Sequence, residues 1–208
     1  MLLDFTTLDR RTAYFWMAST IAPRPVAWVS SQDAAGLVNL APFSFFQMIA
    51  PQPPTLMICP QHNADGSLKH TAHNIRETGE FVVSLVSFPL VQQMNATSFA
   101  FGADANEFDA AGVVAAASHA VRPPRVAHAP VSFECRVSSF TLHPAETSTC
   151  AIILGEVIAA HVDEAIVNAD GIIDPHKLDL VSRMGADWYG RTRSSDNFTL
   201  ARPTGWAQ

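Results

Sequence analysis

From Val131 to Leu142 apolar and polar residues alternate, and the phase of that alternation flips once. Val131, Phe133, Cys135 and Val137 share one parity, whereas beyond Ser138-Ser139 the apolar positions are Phe140 and Leu142. Side chains of a strand alternate between its two faces, so a single phase flip requires one extra residue, a β-bulge. Bulges belong to bent or closed sheets, and this pattern predicts a long strand in a curved sheet. The following segment, Thr149 to Val162, predicts another strand; its stretch 150–160 is almost wholly apolar, as expected of a strand buried on both faces. Further strands are predicted at Val26 to Ser31, from Leu37 onward after the turn Asp33-Ala34-Ala35-Gly36, at Thr55 to Cys59 and at Glu80 to Val86. Helical periodicity is confined to Leu8–Ser19, Lys69–Thr78 and Pro89–Phe99. In the first of these Leu8, Tyr14, Phe15 and Met17 fall largely on one face, Asp4 or Thr7 is the expected cap, and Pro23-Arg24-Pro25 ends the segment. Strands and helices do not alternate, which disfavours a doubly wound parallel sheet. The expected fold is mostly β, a small antiparallel barrel with peripheral helices.

The 208 residues predict a single domain, 1–208, with no internal repeat and no linker. Hydrophobic residues make up 48%, charged residues 15%, and mean hydropathy is +0.13, a balance that excludes intrinsic disorder. Against a usual charged share of about 25%, such a surface is expected to be partly covered by another subunit or to line a cofactor. The net charge of −6 and the lack of a basic run argue against a nucleic-acid partner. The most apolar stretch is interrupted by Glu156 and is far shorter than the about 20 residues that span a bilayer, so no membrane is expected. Met1-Leu2-Leu3-Asp4-Phe5 lacks the features of a secretory signal, and Cys59, Cys135 and Cys150 have no CxxC spacing. These three read as buried free thiols of a cytoplasmic protein.

Familiar catalytic motifs are missing. No two glycines stand at i, i+2, so the GxGxxG fingerprint is absent, as is GxSxG. Gly185 to Thr192 has the frame of a P-loop but with Arg191 for lysine, and with Trp188 and Tyr189 where backbone should wrap phosphate. His70 and His73 are spaced as two metal ligands on a helix, but nothing completes the set, and a solvated helix face is the better reading. What remains is an anion-binding constellation. Lys69 stands at the start of the helix Lys69–Thr78, with Ser67 before it and Thr71 after it, where free N–H groups and the helix dipole favour an anion. Ordinary capping by Ser67 is the competing reading. Val26-Ala-Trp-Val-Ser-Ser31 and Asn39-Leu-Ala-Pro-Phe-Ser44 would add small donors beside an apolar wall, suited to a planar amphipathic ligand, although core packing explains their aromatics equally well.

Read together, Ile21-Ala-Pro-Arg-Pro-Val-Ala-Trp-Val-Ser-Ser31, Gly36-Leu-Val-Asn-Leu-Ala-Pro-Phe-Ser-Phe-Phe46, Pro53-Pro54, Lys69-His-Thr71, Asn74-Ile75 and Thr78-Gly-Glu-Phe-Val-Val83 resemble the flavin reductase-like family of FMN-binding split barrels, with a weaker match at Arg183-Met-Gly185 and Tyr189. That family includes flavoredoxin-like proteins and reductase components of two-component flavin monooxygenases. The resemblance implies a six-stranded antiparallel split β-barrel, a homodimer with FMN near the subunit interface, and NADH or NADPH as electron donor. Electrons would pass to free flavin or to a partner flavin-dependent monooxygenase; the alternative is a flavin-binding electron-transfer protein without enzymatic activity. By the same resemblance Trp28, Val29, Ser30, Ser31, Asn39, Leu40 and Ala41 would contact the isoalloxazine and ribityl chain. Ser44, Lys69, His70 and Thr71 would lie toward the ribityl-phosphate end. His70 stands where the family commonly has aspartate, Ser31 for a common threonine and Ala186 for a glycine; the first would make flavin affinity pH-dependent.

Overall fold

A computed structural model describes residues 1–102, 104–203 and 205. The chain order is α1 (Arg10–Thr20), β1 (Arg24–Pro25), β2 (Ala27–Gln32), β3 (Val38–Phe43), β4 (Phe46–Pro51), β5 (Pro54–Ile58), α2 (His70–Thr78), β6 (Glu80–Leu85), α3 (Val91–Ala96), α4 (Glu107–Ala110), β7 (Ala115–Ala116), β8 (Arg125–Val126), β9 (Val131–His143), β10 (Cys150–Val162), α5 (Pro175–Leu178), β11 (Val181–Arg183) and β12 (Tyr189–Arg191). The main sheet runs β3-β2-β6-β9-β10-β5-β4, with every pairing antiparallel. The expected class holds, with seven strands in place of six. The additional strand is β4, an exposed edge whose apolar residues do not alternate and whose end is a proline, so it gave no period-two signal.

The two edge strands, β3 and β4, are joined by Ser44 and Phe45 alone. Three residue steps span about 10 Å at most, so the outer edges of the sheet must come together and the sheet must roll up. Yet β3 and β4 do not pair with each other. The barrel is therefore split, and Ser44–Phe45 bridges the split.

The bulge lies where the sequence places it. Ser139 pairs with Leu154 and Val137 with Gly155, leaving Ser138 as the extra residue of β9. Just there Gly155 faces Phe81, whose ring would lie 2.4 Å from any Cβ at that position; glycine lets β10 cross the ring of the neighbouring core.

Two cores flank β2. Ala27 and Val29 point into the barrel with Phe81, Val83, Ile58 and Ile153, and α2 adds Ala72 and Ile75. Trp28 points the other way, into a second core with Leu40, Met94, Phe108 and Val181, and its Nε1–H donates to Thr97 Oγ1 at 2.9 Å. The fully buried Glu134 fastens the loop over this side, accepting the N–H groups of His119 and Ala120 at 2.6 Å each, and lies 2.5 Å from His161 Nε2. Burial opposes its charge, but these donors outweigh that cost and hold its carboxyl below the usual carboxylate range.

Two local expectations are corrected. β10 is not buried on both faces: Ala151 and Ile153 are fully buried, whereas Ile152 and Leu154 are half-buried because none of the described residues fully covers the outer face. Helix α1 is capped by Asp9, whose Oδ1 accepts from Arg11 N and Thr12 N, while Asp4 caps a separate turn with Thr6. Its Tyr14, Phe15 and Met17 are each about half exposed, and of its residues Ala18 is the buried one. Among the described residues no helix is long and apolar enough to cross a membrane.

Candidate functional site

Helix α2 begins without a side-chain cap. Lys69 occupies the N-cap position, and the first amide bonded within the helix is His73 N, to Lys69 O at 2.9 Å. Ser67 is engaged elsewhere: its N–H and hydroxyl both donate to Asp65 Oδ1 at 2.9 and 2.6 Å, and Asn63 Nδ2 donates to its Oγ at 3.0 Å. The capping reading of Ser67 is thereby replaced by an open helix terminus. At the other end Gly79 adopts φ 72°, the left-handed conformation that glycine takes at low cost, and returns the chain directly into β6.

Two buried polar contacts fix α2 against the sheet. The side-chain amide of Asn39, on β3, lies 2.8 Å from Thr71 Oγ1, and Asn74 Nδ2 donates to Ser31 Oγ at 3.3 Å. On the far side of Asn39 stands Glu107 from α4, 5% exposed, its Oε2 accepting the Leu40 amide at 2.9 Å. Turned so that its nitrogen faces Glu107 Oε1 at 3.3 Å and its oxygen takes the Thr71 hydroxyl at 2.8 Å, the Asn39 amide satisfies both neighbours. Burial pushes the Glu107 carboxyl up, partly offset by the Leu40 N–H and by His70.

These groups open on a cavity of about 360 Å³, whose lining includes Asn39, Ala41, Lys69, His70, Thr71, Asn63 and Glu107, together with Phe99 and Phe101. It shares Pro42, Phe43 and Lys69 with a smaller cavity of about 170 Å³ at the split, lined also by Ser44, Phe45, Cys59 and Gln61. Tyr14, Phe45 and Gln61 continue that surface into a third cavity of about 680 Å³ beneath α1. The three form one trough along the split.

The structure thus brings together six of the eleven residues singled out from sequence: Asn39, Ala41, Ser44, Lys69, His70 and Thr71. The side chains of Trp28, Val29, Ser30, Ser31 and Leu40 do not reach the trough. Trp28, Val29 and Leu40 are wholly buried in the two cores, the Ser30 hydroxyl donates to the Pro124 carbonyl, and Ser31 accepts from Asn74. With both faces of β2 covered, these residues form the floor on which α2 and β3 are placed. Glu107, Asn63 and the Thr97–Phe101 segment were missed, since no local pattern connects them to Lys69.

Among the described residues nothing in the trough is arranged as a nucleophile with its base. Burial, together with the neighbouring Cys150 thiol, pushes the Cys59 thiol up to about 12, so it stays protonated at neutral pH. Among the described residues no cluster of His, Cys, Asp and Glu could hold a metal ion. Lys69 and the open α2 terminus form a donor set that fits a phosphate, the side chains of Asn63 and Thr71 being already bonded within the protein, and Pro42, Phe43 and Phe45 form an apolar wall that fits a planar ring. Glu107 is the one lining group that opposes an anion.

Comparison with known proteins agrees with this fold. The model of the flavin reductase like domain matches residues 17–175. An uncharacterised protein of Deinococcus radiodurans is 37% identical over 208 residues, covering 97% of this chain and 89% of that one. Among solved structures, nitrilotriacetate monooxygenase component B from Bacillus cereus superposes with a TM-score of 0.90 at 27% identity, covering 96% of this chain and 98% of that chain. The 2-nitrobenzoate 2-nitroreductase NbaA of Pseudomonas fluorescens gives 0.87 at 25% identity, covering 100% and 99%. A split barrel with a phosphate-sized donor set beside an apolar wall, matched over most of its length, places this chain in the flavin reductase-like domain family, among the flavin-linked oxidoreductases.

Proposed function

We infer that the protein binds FMN in the trough and works as an NAD(P)H-dependent flavin reductase. The observation that carries this reading is the uncapped start of α2, where Lys69 and Thr71 meet Asn39 at the split of the barrel. In such an enzyme the flavin supplies the chemistry, taking hydride from a nicotinamide and releasing electrons to an acceptor. The chain's own part is placement. Lys69 and the first-turn amides of α2 would neutralise the phosphate, Asn39 and Thr71 would fix the adjoining hydroxyls, and Pro42 to Phe45 would support the ring.

The acceptor is either free flavin or a monooxygenase partner. The likeness to a monooxygenase component B supports the second, and the likeness to a 2-nitrobenzoate 2-nitroreductase supports a small-molecule acceptor as a further reading. A homodimer is supported by the uncovered apolar surface of the barrel, where Met48 is 72% and Ile49 is 49% exposed on β4. The three free cysteines are consistent with the reducing cytoplasm.

Titration of the flavin-free chain with FMN and with riboflavin tests the reading. FMN is expected to bind more tightly than riboflavin. Equal affinity, or no binding of either, would remove the phosphate site and the proposed function with it.

A further inference from the structure

The largest cavity of the trough differs in character from the one at Lys69. About 680 Å³ in volume, it lies between α1 and Phe45, with Tyr14 and Met17 as apolar walls and Arg10, Arg11 and Arg24 around them. None of its lining residues is acidic, in a chain with a net charge of −6. Among the described residues none of the three guanidiniums forms an ion pair.

Each arginine is placed against ordinary electrostatic preference. Arg24 is 7% exposed; its terminal nitrogens donate to the carbonyls of Ala18, Ile21 and Met184, and its Nε donates to Ser44 Oγ at 3.4 Å. These contacts cap the end of α1 but supply no countercharge, and burial lowers the Arg24 pKa. Arg10 and Arg11 are the first two residues of α1, where the helix dipole is already positive, and the first turn carries no acidic residue. Asp9, just before them, is occupied in capping α1 through Arg11 N, Thr12 N and the Thr12 hydroxyl. Phe45 ties the cavity to the split: it packs against Tyr14 with ring centroids 6.4 Å apart, Arg24 stands 6.0 Å from its centroid, and its side chain walls both cavities.

We propose that this cavity is a substrate site for a planar ring carrying an anionic group, bound against the wall formed by Tyr14, Met17 and Phe45 with its charge on Arg10 and Arg11. The aromatic walls match the ring, the guanidiniums match a carboxylate or phosphate, and the shared Phe45 sets the occupant beside whatever fills the split. Its assignment as a partner of the flavin rests on the function proposed above. A small aromatic acid and a nicotinamide dinucleotide both present this chemistry.

The test uses benzoate and benzamide as probes, titrated calorimetrically into the FMN-loaded and the flavin-free chain, for wild type and the double variant Arg10→Ala/Arg11→Ala. Both arginines are exposed, so the variant is expected to fold. Benzoate is expected to bind both forms, about tenfold more tightly than benzamide, and the double variant to lose about that factor while its FMN affinity is unchanged. Benzoate affinity unmoved by the double variant, benzamide bound as well as benzoate, or a parallel loss of FMN affinity would overturn the proposal, the last because the cavity would then hold the flavin itself. Repetition with saturating NAD⁺ separates the sources: unchanged benzoate affinity assigns the cavity to a small acid, displacement to the dinucleotide. If FMN fails to bind while benzoate still binds through the arginines, the anion site stands and the flavin reading falls.

Discussion

The Asn39 side-chain amide and the Thr71 hydroxyl, 32 residues apart in sequence, lie 2.8 Å apart and join the edge strand β3 to the open end of α2. This contact sets where an anion at the helix terminus sits relative to the split. Lys69 stands one residue from the helix start and supplies the positive charge at the same place.

Lys69→Ala is expected to weaken FMN by roughly tenfold to over a hundredfold, since a charge-assisted hydrogen bond is worth about 1.5–3 kcal/mol. Riboflavin, which lacks the phosphate, is expected to be nearly indifferent to the change. Parallel titrations of both ligands check this, and equal losses would detach Lys69 from the phosphate.

Glu107 is expected to make FMN binding pH-dependent. Burial already raises its pKa, and a phosphate dianion in the same cavity disfavours its ionised form further. Binding is then coupled to proton uptake, and affinity rises as pH falls through the raised pKa of Glu107. Glu107→Gln is expected to bind FMN more tightly at neutral pH and to lose this dependence. His70 faces the same cavity, and protonation of the phosphate near pH 6 acts against the Glu107 effect. Titrations of wild type, Glu107→Gln and His70→Asn across pH separate the contributions; a His70→Asn profile that superimposes on wild type makes His70 a bystander.

Glu134 couples stability to acid. Its folded pKa lies below the unfolded value of about 4.3, so its contribution is fully present above that value and is lost as pH falls toward the folded pKa. Glu134→Gln would turn an amide N–H₂ toward backbone donors and is expected to cost about 2–4 kcal/mol, with a weaker dependence of stability on pH in that window. Chemical denaturation at neutral and acid pH measures both; an unchanged midpoint would contradict this role.

Light scattering is expected to give about twice the 22.5 kDa chain mass at micromolar concentration. Charge introduced at the exposed apolar edge, as in Met48→Glu, is expected to shift the population toward monomer. A wild-type monomer that retains FMN would show that the site needs no second subunit.

Much of this was legible in the sequence where the determinant is local. The phase flip at Ser138 marked the bulge because strand faces alternate strictly, and the start of α2 marked the proposed anion site because a lysine beside an open helix terminus favours an anion. Side-chain direction on β2 was not legible. Trp28 to Ser31 are neighbours of the site along the chain, but a strand covered on both faces sends every side chain into a core. Glu107 was invisible for a different reason: its partner is the backbone N–H of Leu40, 67 residues away, and a backbone donor leaves no mark in sequence. Tyr14 and Met17 of α1 are half exposed because the surface they face belongs to the cavity rather than to the core.

The most direct test is anaerobic mixing of the FMN-loaded protein with NADH and, separately, NADPH, following the visible absorption of the oxidised flavin. Rapid bleaching by at least one nucleotide, with recovery when an acceptor is admitted, is the predicted result. Flavin that remains bound and oxidised in excess of both nucleotides would contradict a reductase and leave a flavin-binding electron-transfer protein in its place.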